Sequence, residues 1–125
     1  MTTWTPDELS RIESTDELDI VPLREDGTRH DPTTIWVVRD GDDLYVRAVR
    51  GRGGAWFRHA TARHEGQIRS GGVTKDVSLV EEGDTNLNDR LDTAYRAKYR
   101  GYSNAYVDPV VADTARSATL KLVPR

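Results

Sequence analysis

Arginine and glycine crowd together in the middle of the chain: Arg47, then Arg50-Gly51-Arg52-Gly53-Gly54, then Trp56. A guanidinium group makes planar, charge-assisted pairs with phosphate oxygens, and a glycine-rich loop can wrap its N–H groups around an anion. Trp36 and Trp56 add large flat rings that can wall a planar ligand. The chemistry implied is retention of a phosphorylated small molecule. Arg47, Arg50 and Arg52 would grip the phosphate, and Gly53 and Gly54 would let the backbone approach it.

Other chemistries find less support. The glycine spacing matches neither a P-loop, which needs Gly-Lys-Ser/Thr, nor a dinucleotide-binding fingerprint. His59 and His64 are five residues apart, and His30 stands apart from both, so no metal site is expected. Cysteine is absent, which excludes thiolate chemistry and disulfides. Ser70, Ser78 and Ser103 lack the turn motif of a nucleophilic serine. Tyr95, Tyr99, Tyr102 and Tyr106 could offer phenolic protons, but a helical tyrosine stripe more often serves a core or an interface. No catalytic acid or base is assigned.

Charge narrows the partners. The chain carries a formal net charge of −3, yet Arg47 to Arg69 holds six arginines and two histidines against one acid, Glu65. A local positive field on an acidic protein suits a small anion better than a long polyanion, so nucleic acid is not the expected partner. No apolar run approaches the ~18–20 residues of a membrane span. The polar N-terminus shows no signal-peptide pattern, and a cytoplasmic protein is the expectation. The 125 residues suffice for one domain, 1–125, with a single core.

The elements that must position the arginines follow from periodicity. Thr5-Pro6-Asp7-Glu8 opens a short helix with a capping box, ending near Ser14. Leu18 to Arg24 reads as a strand that Pro22 confines to an edge or end position. Thr33 to Arg39 is a strand that pairs with it. Asp40-Gly41-Asp42 turns the chain into a half-buried strand from Leu44 to Val49. Trp56 to Arg63 makes about two helical turns, stopped by Glu65-Gly66. Gln67 to Ser70, a Gly71-Gly72 turn and Val73 to Val80 form a second hairpin. Asp84 to Arg100 is the strongest helix, with Leu87, Leu91, Ala94, Tyr95, Lys98 and Tyr99 on one stripe. Tyr102 and Tyr106 fall in a loop, Pro109 to Ala115 adds a helical turn, and Ala118 to Val123 is a last strand. The fold class is mainly β (α+β), six antiparallel strands with flanking helices.

These segments together resemble the split β-barrel class that binds flavin mononucleotide (FMN) or a deazaflavin. That class includes the pyridoxamine-phosphate-oxidase-like and deazaflavin-dependent nitroreductase-like proteins. The chain is most similar to a small bacterial family of uncharacterised domains within it. The residues that carry the resemblance are Pro32 to Val38, Gly41 to Arg47, Arg50-Gly51, Gly54 to Arg58 and Gly71-Gly72. Ala94 to Tyr99 and Thr119 to Arg125 complete it. The resemblance implies a six-stranded antiparallel split β-barrel with a flavin-type ring along Thr34, Ile35 and Trp36. It implies phosphate at Arg47, Arg50 and Arg52, and a homodimer with the cofactor at the subunit interface. The loop here lacks the serine or lysine common in cofactor-using members, and His59-Ala60 replaces the Asn-Leu of deazaflavin users. Two functions are therefore expected as alternatives. One is a flavin- or deazaflavin-binding oxidoreductase-like protein. The other is a non-catalytic module on the same barrel that holds another phosphorylated small molecule or no cofactor.

Overall fold

A computed structural model describes residues 3–125. Its strands are Glu17–Pro22 (β1), Thr33–Asp40 (β2), Asp43–Arg47 (β3), Glu65–Ser70 (β4), Val73–Glu81 (β5) and Thr119–Pro124 (β6). Its helices are Pro6–Glu13 (α1), Ala55–Arg63 (α2), Thr85–Lys98 (α3), Asn104–Val111 (α4) and Asp113–Arg116 (α5). The strands close into one antiparallel barrel in the order β1-β2-β3-β6-β5-β4. None of the described helices is long and apolar enough to cross a membrane.

Alternation along the strands sorts apolar side chains into two cores. Val37, Leu44 and Val46 point into the barrel with Leu18, Ile20, Ile68, Leu79, Leu120 and Leu122. Their neighbours Val38 and Tyr45 point outward and meet Leu87, Leu91, Tyr95 and Tyr99 of the α3 region. The expectation of a half-buried strand to Val49 is corrected here. β3 is buried on both faces because α3 and α4 cover its outside, and it ends at Arg47, whose partner is Thr119. The tyrosines of α3 are likewise covered by the chain's own β2 and β3, so they need no second subunit to bury them.

Local signals set the ends of the elements. Thr5 Oγ1 accepts from Glu8 N at 3.1 Å and Glu8 Oε1 accepts from Thr5 N at 2.9 Å, the reciprocal cap expected of α1. Pro22 ends β1, paired opposite Gly66. Asp84 caps α3 by accepting from Leu87 N at 2.8 Å. Two boundaries differ from expectation. α2 stops at His64 in the left-handed region (φ 60), so Glu65 and Gly66 belong to β4 rather than to a helix end. The late helix begins at Asn104, putting Tyr106 on a helix and Pro109 inside it, where a start had been expected.

Gly71 and Gly41 both sit at positive φ, 58° and 62°, in hairpin turns. A Cβ on Gly71 would lie 2.5 Å from Arg11 O, whereas one on Gly41 meets nothing within 4 Å. Gly41→Ala should therefore cost about 1 kcal/mol from backbone strain alone, and Gly71→Ala about 2–3 kcal/mol from strain plus displacement of α1. Denaturant melts of the two variants compare them directly.

Candidate cofactor pocket

β2 changes neighbours halfway along its length. Thr33 to Trp36 pair with β1, and Val37 to Asp40 pair with β3. A strand sends alternate backbone groups to opposite edges. The backbone of Val37 faces the β1 side, where β1 has already ended. There Tyr99 Oη accepts from Val37 N at 3.0 Å, and Lys98 Nζ donates to Val37 O at 2.8 Å. The same Tyr99 hydroxyl bonds Asp16 O, so this side chain continues the ladder that β1 leaves unfinished. Alternation turns the N–H and C=O groups of Thr34 and Trp36 to the other edge, where Arg47, the last residue of β3, lies opposite Trp36 and Thr34 lies beyond the end of β3.

A cavity of about 700 Å³ opens along that edge. Thr34, Ile35 and Trp36 form one side, and Gly54 and Trp56 at the start of α2 form another. Tyr106 and Val110 of α4 close it from above. Gly54 caps α2 without a side chain, so the N–H groups of Ala55 and Trp56, both bordering the cavity, have no partner among the described residues. Pro109 removes the donor that would have bonded Ala105 O, and both residues also border the cavity.

The three arginines do not converge. Arg47 borders the cavity but its guanidinium is buried beneath it, 2% exposed as a residue. Nε donates to Thr119 Oγ1, Nη1 to Asp92 Oδ1 and Val110 O, and Nη2 to the backbone and side-chain oxygens of Asn88. All five donors are thus committed. Arg52 turns away to Glu81 at 2.6 Å and to Ser117 O at 2.9 Å, over the ring of Phe57. Gly53 lies outside the cavity lining. Arg50 alone of the three is exposed at the cavity and has no ion pair or hydrogen bond from its side chain among the described residues. The expected three-arginine clamp is corrected to one free arginine. Nothing in the spacing of Arg47 distinguishes it from a surface cation; the signal was Asp92 and Asn88 on the α3 face that packs over β3.

The sequence profile of DUF2255, described as an uncharacterized protein conserved in bacteria, matches residues 8–122. The chain belongs to this family. No curated protein matches it in sequence. Several solved structures share the fold of this DUF2255 chain. One is the conserved hypothetical protein Rv2991 of Mycobacterium tuberculosis, at 14% identity and TM-score 0.69, covering 99% of this chain and 82% of that one. A FAD-binding protein of Mesorhizobium loti has 13% identity and TM-score 0.62, with 98% and 91% covered. An F420 reductase has 15% identity and TM-score 0.56, with 93% and 90% covered. At these identities the likeness is one of fold.

Beside the cavity the DUF2255 chain stacks aromatic rings. Trp36 lies on Tyr99 with centroids 3.8 Å apart and planes 3° from parallel, and Tyr102 leans on Trp36 at 5.0 Å. Burial drives the Tyr99 and Tyr95 phenols well above their ordinary range. His30, expected to stand apart, stacks on His59 at 3.9 Å because the β1–β2 loop folds onto α2. Desolvation and the charge of His59 lower the His30 pKa. Among the described residues no group of three His, Asp or Glu side chains is placed to hold a metal.

Two measurements check this geometry. Arg47→Met should lower stability by about 3 kcal/mol, because it strands Asn88 and Val110 acceptors and half-uncovers Asp92, while Arg50→Ala should cost less than about 0.5 kcal/mol. Denaturant melts give both values. Burial also lowers the Lys98 ammonium from 10.5 to about 8. Between those values the unfolded chain holds the proton that the folded chain has released, so stability should rise with pH from about 8 toward 10. Above that the raised tyrosine pKa values, about 12 for Tyr45, reverse the trend. Lys98→Met should remove the rise in melts taken across that window.

Proposed function

We propose that the cavity holds a flavin-type cofactor, FMN before a deazaflavin, and that Arg50 meets its phosphate. The observation that carries this reading is the open edge of β2 at Thr34, past the end of β3 and beside the cavity. A flat heteroaromatic ring with alternating donors and acceptors can bond that edge and lie against Ile35, Trp36 and Trp56. The free N–H groups at the start of α2 and the uncommitted guanidinium of Arg50 supply positive potential for the phosphate at the same mouth. The FAD-binding protein and the F420 reductase on the same fold agree with this reading. Exposed Val49 and Tyr106 at the mouth fit closure by a second subunit in a homodimer.

The cofactor would supply hydride or electron chemistry, and this chain would bind it, orient it and exclude water. The lining contains no carboxylate, histidine or lysine, and its hydroxyl groups are those of Thr33, Thr34 and Tyr106. That absence favours one alternative, a module that holds the phosphorylated molecule without turning it over.

Titration of FMN and riboflavin, followed by quenching of their fluorescence, tests the placement. Wild type should bind FMN more tightly than riboflavin, and Arg50→Ala should erase about tenfold of that preference, as expected for one charge-assisted contact. Arg52→Ala should leave it unchanged, because Arg52 is occupied by Glu81. Equal affinity for the two ligands in wild type would refute the phosphate assignment. Reduction of bound FMN by a nicotinamide donor separates the redox protein from the holding module.

A further inference from the structure

The aromatic rings beside the cavity run from its wall to solvent. Trp36 borders the cavity. Tyr99 lies face to face on it at 3.8 Å, and Tyr102 reaches both, 5.0 Å from Trp36 and 6.0 Å from Tyr99. Tyr102 is 42% exposed. Electronic coupling between rings falls off steeply with separation, so rings in van der Waals contact exchange an electron far faster than rings held apart by aliphatic side chains.

A tyrosine can end such a path only if its proton has somewhere to go, since the oxidised phenol is a strong acid. Tyr99 is unsuited, because its hydroxyl bonds the carbonyl oxygens of Asp16 and Val37, which cannot retain a proton. Tyr102 differs. Its hydroxyl donates to the carboxylate Oδ2 of Asp16 at 2.8 Å, within direct transfer range of a true base. Tyr106 is more exposed, at 67%, but no carboxylate among the described residues is bonded to it.

We propose that Trp36, Tyr99 and Tyr102 form a one-electron path from the cavity to the surface, with Asp16 as proton acceptor at its end. Trp36 would give one electron to a one-electron oxidant held in the cavity, a role a photoexcited flavin would fill, leaving an oxidised indole. Tyr102 refills the indole, directly or through Tyr99, and its phenolic proton moves to Asp16 Oδ2. The products are a neutral tyrosyl radical at Tyr102 and a protonated Asp16 carboxyl. The path thereby carries oxidising equivalents away from the cavity. It rests on the pocket reading only for where the oxidant sits.

The path is tested without any cofactor. Azide radicals made by pulse radiolysis oxidise tryptophan first, and transfer appears as tryptophanyl absorption giving way to tyrosyl absorption. In wild type this conversion should be first order and independent of protein concentration. It should be lost in Trp36→Phe and in Tyr102→Phe, kept in Trp56→Phe and Tyr106→Phe, and slowed in Asp16→Asn. Tyr102 lies at the surface, so its variant keeps the fold and decides the matter even if Trp36→Phe is destabilised. No conversion in wild type, or an undiminished one in Tyr102→Phe, overturns the path. An unchanged rate in Asp16→Asn overturns the proton acceptor. FMN titration reports separately on the cofactor reading, so either can fail alone.

Discussion

Buried backbone groups must be bonded, and β2 cannot satisfy that requirement with strands alone. Its two halves lean on different neighbours. On one edge the shortfall is met from α3, whose Tyr99 and Lys98 close the backbone of Val37. On the other edge β3 ends at Arg47, opposite Trp36, and the cavity lies past that end, beside Thr34. The placement of α3 and the existence of the cavity thus have one origin, the partner change between Trp36 and Val37. The stack of Tyr99 on Trp36 follows, because the ring that delivers the hydroxyl must pass over the neighbouring indole.

Arg47 fastens the other side. It reaches from β3 to Asn88 and Asp92 on α3, to Val110 on α4 and to Thr119 on β6. A lysine could not do this, since one ammonium has three donors and no planar fork. Arg116 shares Asp92 and adds Asp89, so α5 joins the same charge cluster. The wall of the cavity formed by α4 is therefore held by a cation that itself has nothing left for a ligand.

Most of the fold was legible from period and turn chemistry. The capping box at Thr5, the hairpins at Gly41 and Gly71 and the stripe on α3 are local signals, and the local structure obeys them. The errors were tertiary. Arg47 and Arg50 look alike in sequence, but one lies under α3 and the other at a cavity mouth. His30 and His59 are distant in the chain and touch because a loop folds over α2. Tyr106 follows a glycine and a serine and precedes a proline, all turn-like residues, yet α4 forms because Val107 and Val110 pack on the α3 side of the barrel. Thr34, Ile35 and Trp36 were placed beside a ligand by resemblance and not by alternation, since consecutive residues of both faces border the cavity; where β3 stops alongside them needed the registers of both neighbours.

The barrel also constrains how the chain can acquire its shape. β3 leans on β6, and the indole of Trp4 donates to Leu122 O, so the earliest and latest described segments meet. During synthesis β1 to β5 emerge while their closing strand is still inside the ribosome. The seam beside β3 stays exposed for that interval, and the two apolar layers can only be sealed after β6 is released. Contacts so distant in sequence slow folding and leave a sticky edge open meanwhile. Newly made chains of this architecture thus keep an aggregation-prone edge open until β6 arrives.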